Sequence, residues 1–485
     1  MPTKNKKTFN KKSPDKKIKK KNVEKKVVAP KKIENRTENH AEEKNNDEVV
    51  EGIKTGKGKV LSLLRGFKDI LPKEDNFWKV IRHSAENLAD AYNYKWIETP
   101  ILEEASLFIR SIGKGTDVVD KEMYVFEDAD GDKICLRPES TASIARAYVL
   151  HGMHTMPQPV KVWYLGPMFR HDRPQAGRYR EFHQFGCESL GVKDPVVDAE
   201  LIAVAYYFLK DLNINSIVYI NSIGTVADRQ NYIVELVGYL RAKRSYLCEE
   251  CKKRINKNPL RVLDCKNPDC KTILEEVPQI IDWLSDESRN FFMKVLEYLD
   301  DLNIPYELKP TLVRGLDYYT DTVFELYKEN GEEGAQSALG GGGRYDGLVA
   351  ELGSKEIVPG CGFSLGLERV VNVLKEQQQA SGTEYQETNK FFFAQLGEQA
   401  RRKTLKVLEE LRLNGIIVKH NLAKSALKAQ LELANKYKAD YTLILGQKEV
   451  QDGTIIIRDM ESGIQEIIDQ KKLVPALKKK LEKMN

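Results

Sequence analysis

The run Leu312–Thr320 (LVRGLDYYT) sets a fixed cation, Arg314, a carboxylate, Asp317, and two phenols, Tyr318 and Tyr319, side by side. An ordinary core helix or strand has no use for that mixture. It asks for a ligand that is anionic at one end and hydrogen-bonding at the other. A second concentration lies at 169–183, where Arg170, Arg173, Arg178 and Arg180 fall between two strand-like runs with Pro174 and Gly177 in the loop. Planar guanidiniums on a hairpin suit bidentate phosphate contacts. Gln184 and Glu188 follow at even spacing, so on one strand both face the same side.

Three further segments carry weaker signals. Arg137–Thr141 (RPEST) places Glu139 two residues from Thr141. The pair could hold an ammonium group jointly, or Ser140 or Thr141 could equally open a helix as its N-cap. Gly340–Asp346 (GGGGRYD) joins flexible backbone to a cation, a phenol and a carboxylate. It lacks the ending of a P-loop and the spacing of a dinucleotide fingerprint, and its glycines would let backbone approach a ligand closely. Gly362–Val370 (GFSLGLERV) reads as strand into helix; Arg369 could be a plain surface arginine, and the flanking small residues favour one that is buried or faces a ligand.

The elements that must position these residues follow from periodicity. Phe77, Val80, Ile81, Ala85, Leu88 and Ala89 recur at helical spacing. Residues 94–101 read as a strand ending at Thr99-Pro100, and short strand-like runs over 133–187 fit antiparallel pairing. Another strand is expected over 217–221, with a helix from about Thr225. From about Arg241 to Thr272 the texture becomes rich in Lys, Arg and Cys, then helical through Glu297, as if a domain were inserted between two halves of one site. A polar stretch at 377–389 reads as a linker. Beyond it, strands at 391–396, 416–418, 441–445 and 453–457 alternate with helices at 400–413 and 423–438, predicting an α/β unit with a mostly parallel sheet. The expected division is therefore 1–55, 60–240, 241–308, 309–376, 377–389 and 390–485.

Charge is uneven along the 485 residues. Residues 1–32 hold 14 Lys against Asp15 and Glu24, and 33–51 hold seven carboxylates against Arg36 and Lys44. With a total of +5, these segments at +12 and −5 leave a body near −2. The extension is too poor in branched and aromatic residues to offset the entropy of ordering, so it reads as a disordered, solvated tail. Electrostatic attraction to nucleic acid is the sharper alternative. No apolar run reaches membrane-spanning length, and no signal or transit peptide is read. Seven cysteines without such a signal fit a reducing cytoplasm. Four of them, Cys248, Cys251, Cys265 and Cys270, fall close together. Tetrathiolate zinc matches the count, but the second pair is spaced more widely than the usual knuckle. Reduced thiols are the favoured reading, and no metal ligand is assigned.

Taken together, these motifs resemble the histidyl-tRNA synthetase family of class II aminoacyl-tRNA synthetases, over roughly 61–470. Thr99-Pro100 with its preceding helix is similar to the first class motif, which builds a dimer interface. Phe169-Arg170 through Glu181-Phe182 resembles the second, and Gly366–Arg369 the third. Leu312–Thr320 and Ala338–Leu348 resemble the two signatures of the histidine enzyme. The resemblance implies an α+β catalytic domain built on an antiparallel sheet, an inserted helical domain, and a C-terminal α/β anticodon-binding domain. It implies a cytoplasmic homodimer that activates L-histidine with ATP and Mg²⁺ to histidyl-adenylate, then transfers the histidyl group to the 3′ end of tRNA(His).

By the same resemblance, Glu139, Thr141 and Gln184 hold the α-ammonium of histidine. Glu188 and Tyr319 bracket the imidazole, and Tyr318 and Tyr345 line its pocket. Arg170 and Arg314 flank the ATP α-phosphate, and Arg369 meets the γ-phosphate. Arg173 and Gln175 read the tRNA acceptor end, and the cysteine-bearing insertion contacts tRNA. Ser140 stands where the family has Gly. A synthetase-like regulatory subunit shares the catalytic fold, but such proteins generally lack the C-terminal domain and an intact Leu312–Thr320 signature.

Overall fold

The computed structural model describes residues 61–113, 115–175, 177–329, 338–381 and 390–482. The Lys-rich and acidic extension at 1–55 and the linker segment 382–389 lie outside the described residues. The first helix, α1 (Asp75–Ala91), buries Phe77, Trp78, Ile81, Ala85 and Ala89, a stripe at the 3.6-residue period. It leads to β1, which is only Lys95–Trp96. The expected strand over 94–101 is thus much shorter: Ile97 still bonds Trp163, but the chain then turns at Pro100 into another sheet.

That second sheet is small and antiparallel, made of β2 (Leu102–Glu104), β3 (Val125–Glu127) and β4 (Lys133–Leu136) in the order β2-β4-β3. Helix α2 (Ala105–Ser111) lies between β2 and β3 in sequence, and α3 (Thr141–Leu150) follows β4. Next come a long hairpin, β5 (Val160–Phe169) and β6 (Glu181–Leu190), then α4 (Pro195–Asp211), β7 (Ser216–Ser222) and α5 (Val226–Ala242). Asp194 caps α4 by accepting from Val196 N, with Pro195 at the first helical position. Thr225 and Asp228 form a reciprocal capping box on α5. Asp228 also accepts from Ser285 N and Ser288 Oγ, which ties α5 to the start of the later helix.

The Cys-rich stretch holds two short helices, α6 (Glu249–Lys257) and α7 (Pro268–Leu274), followed by α8 (Asp286–Asp301). The chain returns through β8 (Tyr306–Leu308), β9 (Thr320–Lys328), β10 (Ala338–Arg344), the single turn α9 (Leu348–Glu351), β11 (Gly360–Gly366) and α10 (Leu367–Ser381). α10 therefore runs into the stretch expected to be linker. The main sheet has the order β1-β5-β6-β11-β10-β9-β7-β8, with parallel pairs only at its two ends. Helices α1, α4, α8 and α10 share one core with residues of β6, β7, β9 and β11.

The glycine run forms β10, a central strand and not flexible backbone. A Cβ at Gly342 would lie 2.0 Å from the Gly362 carbonyl oxygen, and one at Gly341 would lie 2.3 Å from that of Phe324. Both neighbouring strands approach β10 too closely for side chains. Arg344, at its end, is fully buried and pairs with Asp198 and Asp346, so it serves the core.

The C-terminal sheet comprises β12 (Phe391–Gln395), β13 (Val418–His420), β14 (Tyr441–Leu445), β15 (Thr454–Asp459) and β16 (Gln465–Asp469), ordered β13-β12-β14-β15-β16. Phe391 and Phe393 face a core with α11 (Glu398–Leu413) and the terminal helix, whereas Phe392 and Ala394 face Ala434 of α12 (Leu427–Lys436). The short α13 (Gln447–Asp452) and the terminal α14 (Leu473–Glu482) complete the unit. Helices on both sides give three layers, but the sheet is mixed. β15 pairs antiparallel with β14, and also with β16, a strand the sequence reading missed, into which Asp459 closes a tight turn by accepting from Glu461 N and Ser462 N. Among the described residues, no helix is long and apolar enough to cross a membrane.

Candidate active site

A cavity of about 330 Å³ opens over the middle of the main sheet. Strands β6, β10 and β11 supply Gln184, Gly340, Gly341 and Ser364; the segment before β9 supplies Arg314, Tyr318 and Tyr319. The entry to α3 contributes Glu139 and Thr141, the β5–β6 hairpin contributes Arg170 and Arg178, and the start of α10 contributes Arg369. Separate sequence motifs thus meet because the strands that carry them are neighbours.

Of the two readings of Arg137–Thr141, the helix start is observed, but the capping side chain is neither Ser140 nor Thr141. Ser140 occupies the N-cap position of α3 without a side-chain cap, and it is Glu139 that accepts from Thr141 N at 2.6 Å and Ala142 N at 2.9 Å. Burial raises the pKa of Glu139, and the two backbone bonds and Arg170 oppose that rise. Ser140 has φ −104° and ψ −21°, so a side chain there strains nothing. Its hydroxyl lies against the Met168 sulfur.

Glu188 is 1% exposed and does not line the cavity. Its two oxygens accept from Thr141 Oγ1 at 2.7 Å and Tyr345 Oη at 2.6 Å. Burial pushes its pKa up to about 8, against the pull of those hydrogen bonds. Gly362, opposite it on β11, makes the room: a Cβ there would lie 1.6 Å from Glu188 Oε2. The expected bracket of one ring by Glu188 and Tyr319 is therefore uneven in this structure. Tyr319 faces the cavity, while Glu188 and Tyr345 lie one layer behind the wall. Tyr318 packs against both neighbours, its ring centroid 4.7 Å from that of Tyr319 and 5.8 Å from that of Tyr345.

Gln184 donates to Ser364 Oγ at 3.2 Å, but its amide oxygen is buried without a hydrogen-bond partner. Such an acceptor costs about 1–3 kcal/mol to leave unsatisfied, so it calls for a donor from whatever enters.

Arginines also line the cavity. Arg170 is anchored by Nε donating to Pro138 O at 2.9 Å, with its guanidinium over the Phe182 ring. Arg314 lies over the Tyr319 ring and pairs with Glu325, whose other oxygen accepts from Tyr327 Oη at 2.7 Å. Burial disfavours the Arg314 charge, but Tyr319 and Glu325 outweigh it and raise the pKa. Its Nε is buried without a partner. Arg369 donates to Ala338 O; burial first, and the neighbouring Arg178 next, lower its pKa. A cavity with this many guanidiniums suits a polyanion.

Other arginines of the hairpin do different work. Arg180 holds the chain entry through Arg65 O, and Arg173 and Gln175 sit exposed outside the cavity lining. Asp317 turns away and accepts from Asn258 Nδ2 at 2.9 Å. Sequence reasoning gave no role to Glu325, Ser364 or Tyr179, which also line the cavity. The even spacing of Glu325 and Tyr327 on β9 was the available hint.

Antiparallel sheet, arginine hairpin and inward arginine at the start of α10 define the class II aminoacyl-tRNA synthetase fold. The chain belongs to the histidyl-tRNA synthetase family, whose model matches residues 66–228 and 270–370. An anticodon binding domain model matches 390–480. The chain is 44% identical over 416 residues to the histidine–tRNA ligase of Halothermothrix orenii, covering 86% of this chain and 98% of that one. It is 40% identical over 420 residues to the histidine–tRNA ligase of Clostridioides difficile, covering 86% and 99%. The apo crystal structure of S. aureus histidyl-tRNA synthetase superposes with a TM-score of 0.70 at 35% identity, over 86% of this chain and 99% of that one.

Proposed function

We propose that the protein activates L-histidine with ATP and transfers the histidyl group to the 3′ end of tRNA(His). The observation that carries this reading is a single cavity that brings the guanidiniums of Arg170, Arg314 and Arg369 together with Glu139, Tyr318, Tyr319 and the unpartnered Gln184 side-chain carbonyl.

No side-chain nucleophile is required. The histidine carboxylate attacks the α-phosphorus of ATP, a P–O bond forms, and the bond to the β-phosphate oxygen breaks to release pyrophosphate. The tRNA hydroxyl then attacks the acyl carbon and AMP leaves. Arg170 and Arg314 would flank the α-phosphate, where charge grows as the carboxylate attacks, and Arg369 the γ-phosphate. Glu139, Thr141 and Gln184 would take the α-ammonium. Glu188, through Thr141 and Tyr345, would set the hydrogen bonding at the ring, with Tyr318 and Tyr319 against its faces and edges. Rejection of analogues that lack a ring nitrogen follows from leaving such groups unpaired. Mg²⁺ supplies charge neutralisation on the triphosphate when bound. The cavity carboxylates Glu139, Asp172, Glu325 and Glu368 are already bonded, to the Thr141 and Ala142 amides, to Arg178, to Arg314 and Tyr327, and to His183, so no ligand is assigned to it.

Arg173 and Gln175, exposed on the hairpin, would meet the acceptor end, and the unit from Phe391 onward would read the anticodon. Homodimer formation is supported by Trp96, Ile101, Leu102, Val125 and Phe126, all exposed around Thr99-Pro100 and the small sheet. Seven free cysteines suit a reducing cytoplasm. The direct test is histidine-dependent exchange of pyrophosphate into ATP. Arg314→Ala is expected to lower that exchange by about 10²–10³, the usual loss for one preorganised charge donor, with circular dichroism unchanged. Equal activity in the variant would refute the role of Arg314.

A further inference from the structure

Cys248 and Cys251 lie at the start of α6, Cys265 follows the 3₁₀ turn Pro259–Val262, and Cys270 lies in α7. The family match skips 229–269, so three of the four fall outside it. Their sulfur atoms nevertheless all lie within 4.8 Å of one another, and Cys248 Sγ is 3.8 Å from Cys265 Sγ. We propose that these four cysteines bind one structural zinc ion.

The geometry fits a single small ion. Four thiolates at about 2.3 Å from a tetrahedral zinc stand about 3.8 Å apart along each edge. A multinuclear iron–sulfur cluster would spread its ligands further apart. The wider spacing from Cys265 to Cys270, which disfavoured zinc in the sequence, is absorbed by Asn267. Its side chain accepts from Asp269 N and Cys270 N and folds the extra residues into a cap for α7. Cys248 N donates to Cys270 Sγ at 3.2 Å, a bond that favours the thiolate over the thiol.

The surrounding packing gives an ion work to do. α6 buries only Cys251 and Ile255, and α7 only Cys270 and Leu274. Helices this short are marginal without tertiary support, and two buried residues apiece provide little. A tetrathiolate centre would cross-link both helices and the turn between them. α6 and that turn reach the segment that carries Arg314 and Tyr319 and the chain beside it: Asn258 bonds Asp317, and Arg254 and Arg261 pair with Asp117. The ion would thus brace the segment that supports Arg314 and Tyr319. This consequence rests on the proposed function, whereas the metal site itself does not.

Metal analysis of the full chain, purified without chelators and with zinc in the growth medium, tests the proposal. The expected content is about one zinc per chain, falling to near zero in Cys265→Ser and Cys270→Ser. Should those variants fail to fold, titration of the wild type with a mercurial reagent must release zinc in step with modification of four thiols. Replacement by Co²⁺ must give thiolate-to-cobalt charge-transfer and tetrahedral d–d bands. Chelation must speed tryptic cleavage at Lys252 and Lys253, reversed by added zinc. Zinc-free wild-type protein that also takes up no Co²⁺ overturns the site, whatever its exchange activity. Bound zinc whose removal leaves cleavage unchanged overturns the bracing role.

Discussion

Glu188 is governed by its burial. The carboxyl has a folded-state pKa of about 8 against an ordinary 4.5, raised by burial despite bonds from Tyr345 and Thr141. A raised carboxyl pKa contributes stability that is fully present below the unfolded value and is lost as pH rises through the folded one. Glu188→Gln removes this titration. Going from about pH 5 to about pH 9, the melting temperature of the variant should gain on that of the wild type. A difference that stays constant over that range would contradict the burial account. Several neighbours of Glu188 were legible in the sequence for simple reasons: Gln184 follows from strand periodicity, and Arg314, Tyr318 and Tyr319 from an uncommon mixture of types. The inward position of Glu188 was not, because it depends on Gly362 of another strand leaving room. Glu325 was missed similarly, since its partner Arg314 reaches it only after β9 and the signature segment fold together.

Elements explain the glycine run better than residues do. From sequence, Gly340–Gly343 suggested flexible backbone near a ligand; in the fold it is the strand that lets β9 and β11 close in on both sides. Gly342→Ala would place a methyl 2.0 Å from a backbone oxygen that cannot rotate away. The expected loss is about 1–3 kcal/mol or more, seen as a melting temperature at least a few degrees lower. An unchanged melting temperature would mean that the strands are not packed this tightly. Periodicity did locate α1 and α11, each with one buried stripe, and α5, which a capping box opens, while a short apolar run marked β12, buried on both faces. It failed at β1, where a proline turns the chain, at β15, which pairs antiparallel with β14 and makes the expected mostly parallel sheet mixed, and at β16, which it missed.

At the scale of the whole molecule, the chemistry of one cavity is assembled from segments more than two hundred residues apart, from Glu139 to Arg369. The exposed apolar residues around the small sheet lie outside that cavity and suit a partner copy. Sedimentation should show twice the chain mass, and Trp96→Asp with Phe126→Asp should give monomers; a wild-type monomer at micromolar concentration would oppose the dimer. The central claim concerns which amino acid the cavity activates. Pyrophosphate exchange into ATP, measured with each standard amino acid in turn, decides it most directly. Exchange that requires histidine is the predicted result, and exchange with a different amino acid, or with none, would contradict the account.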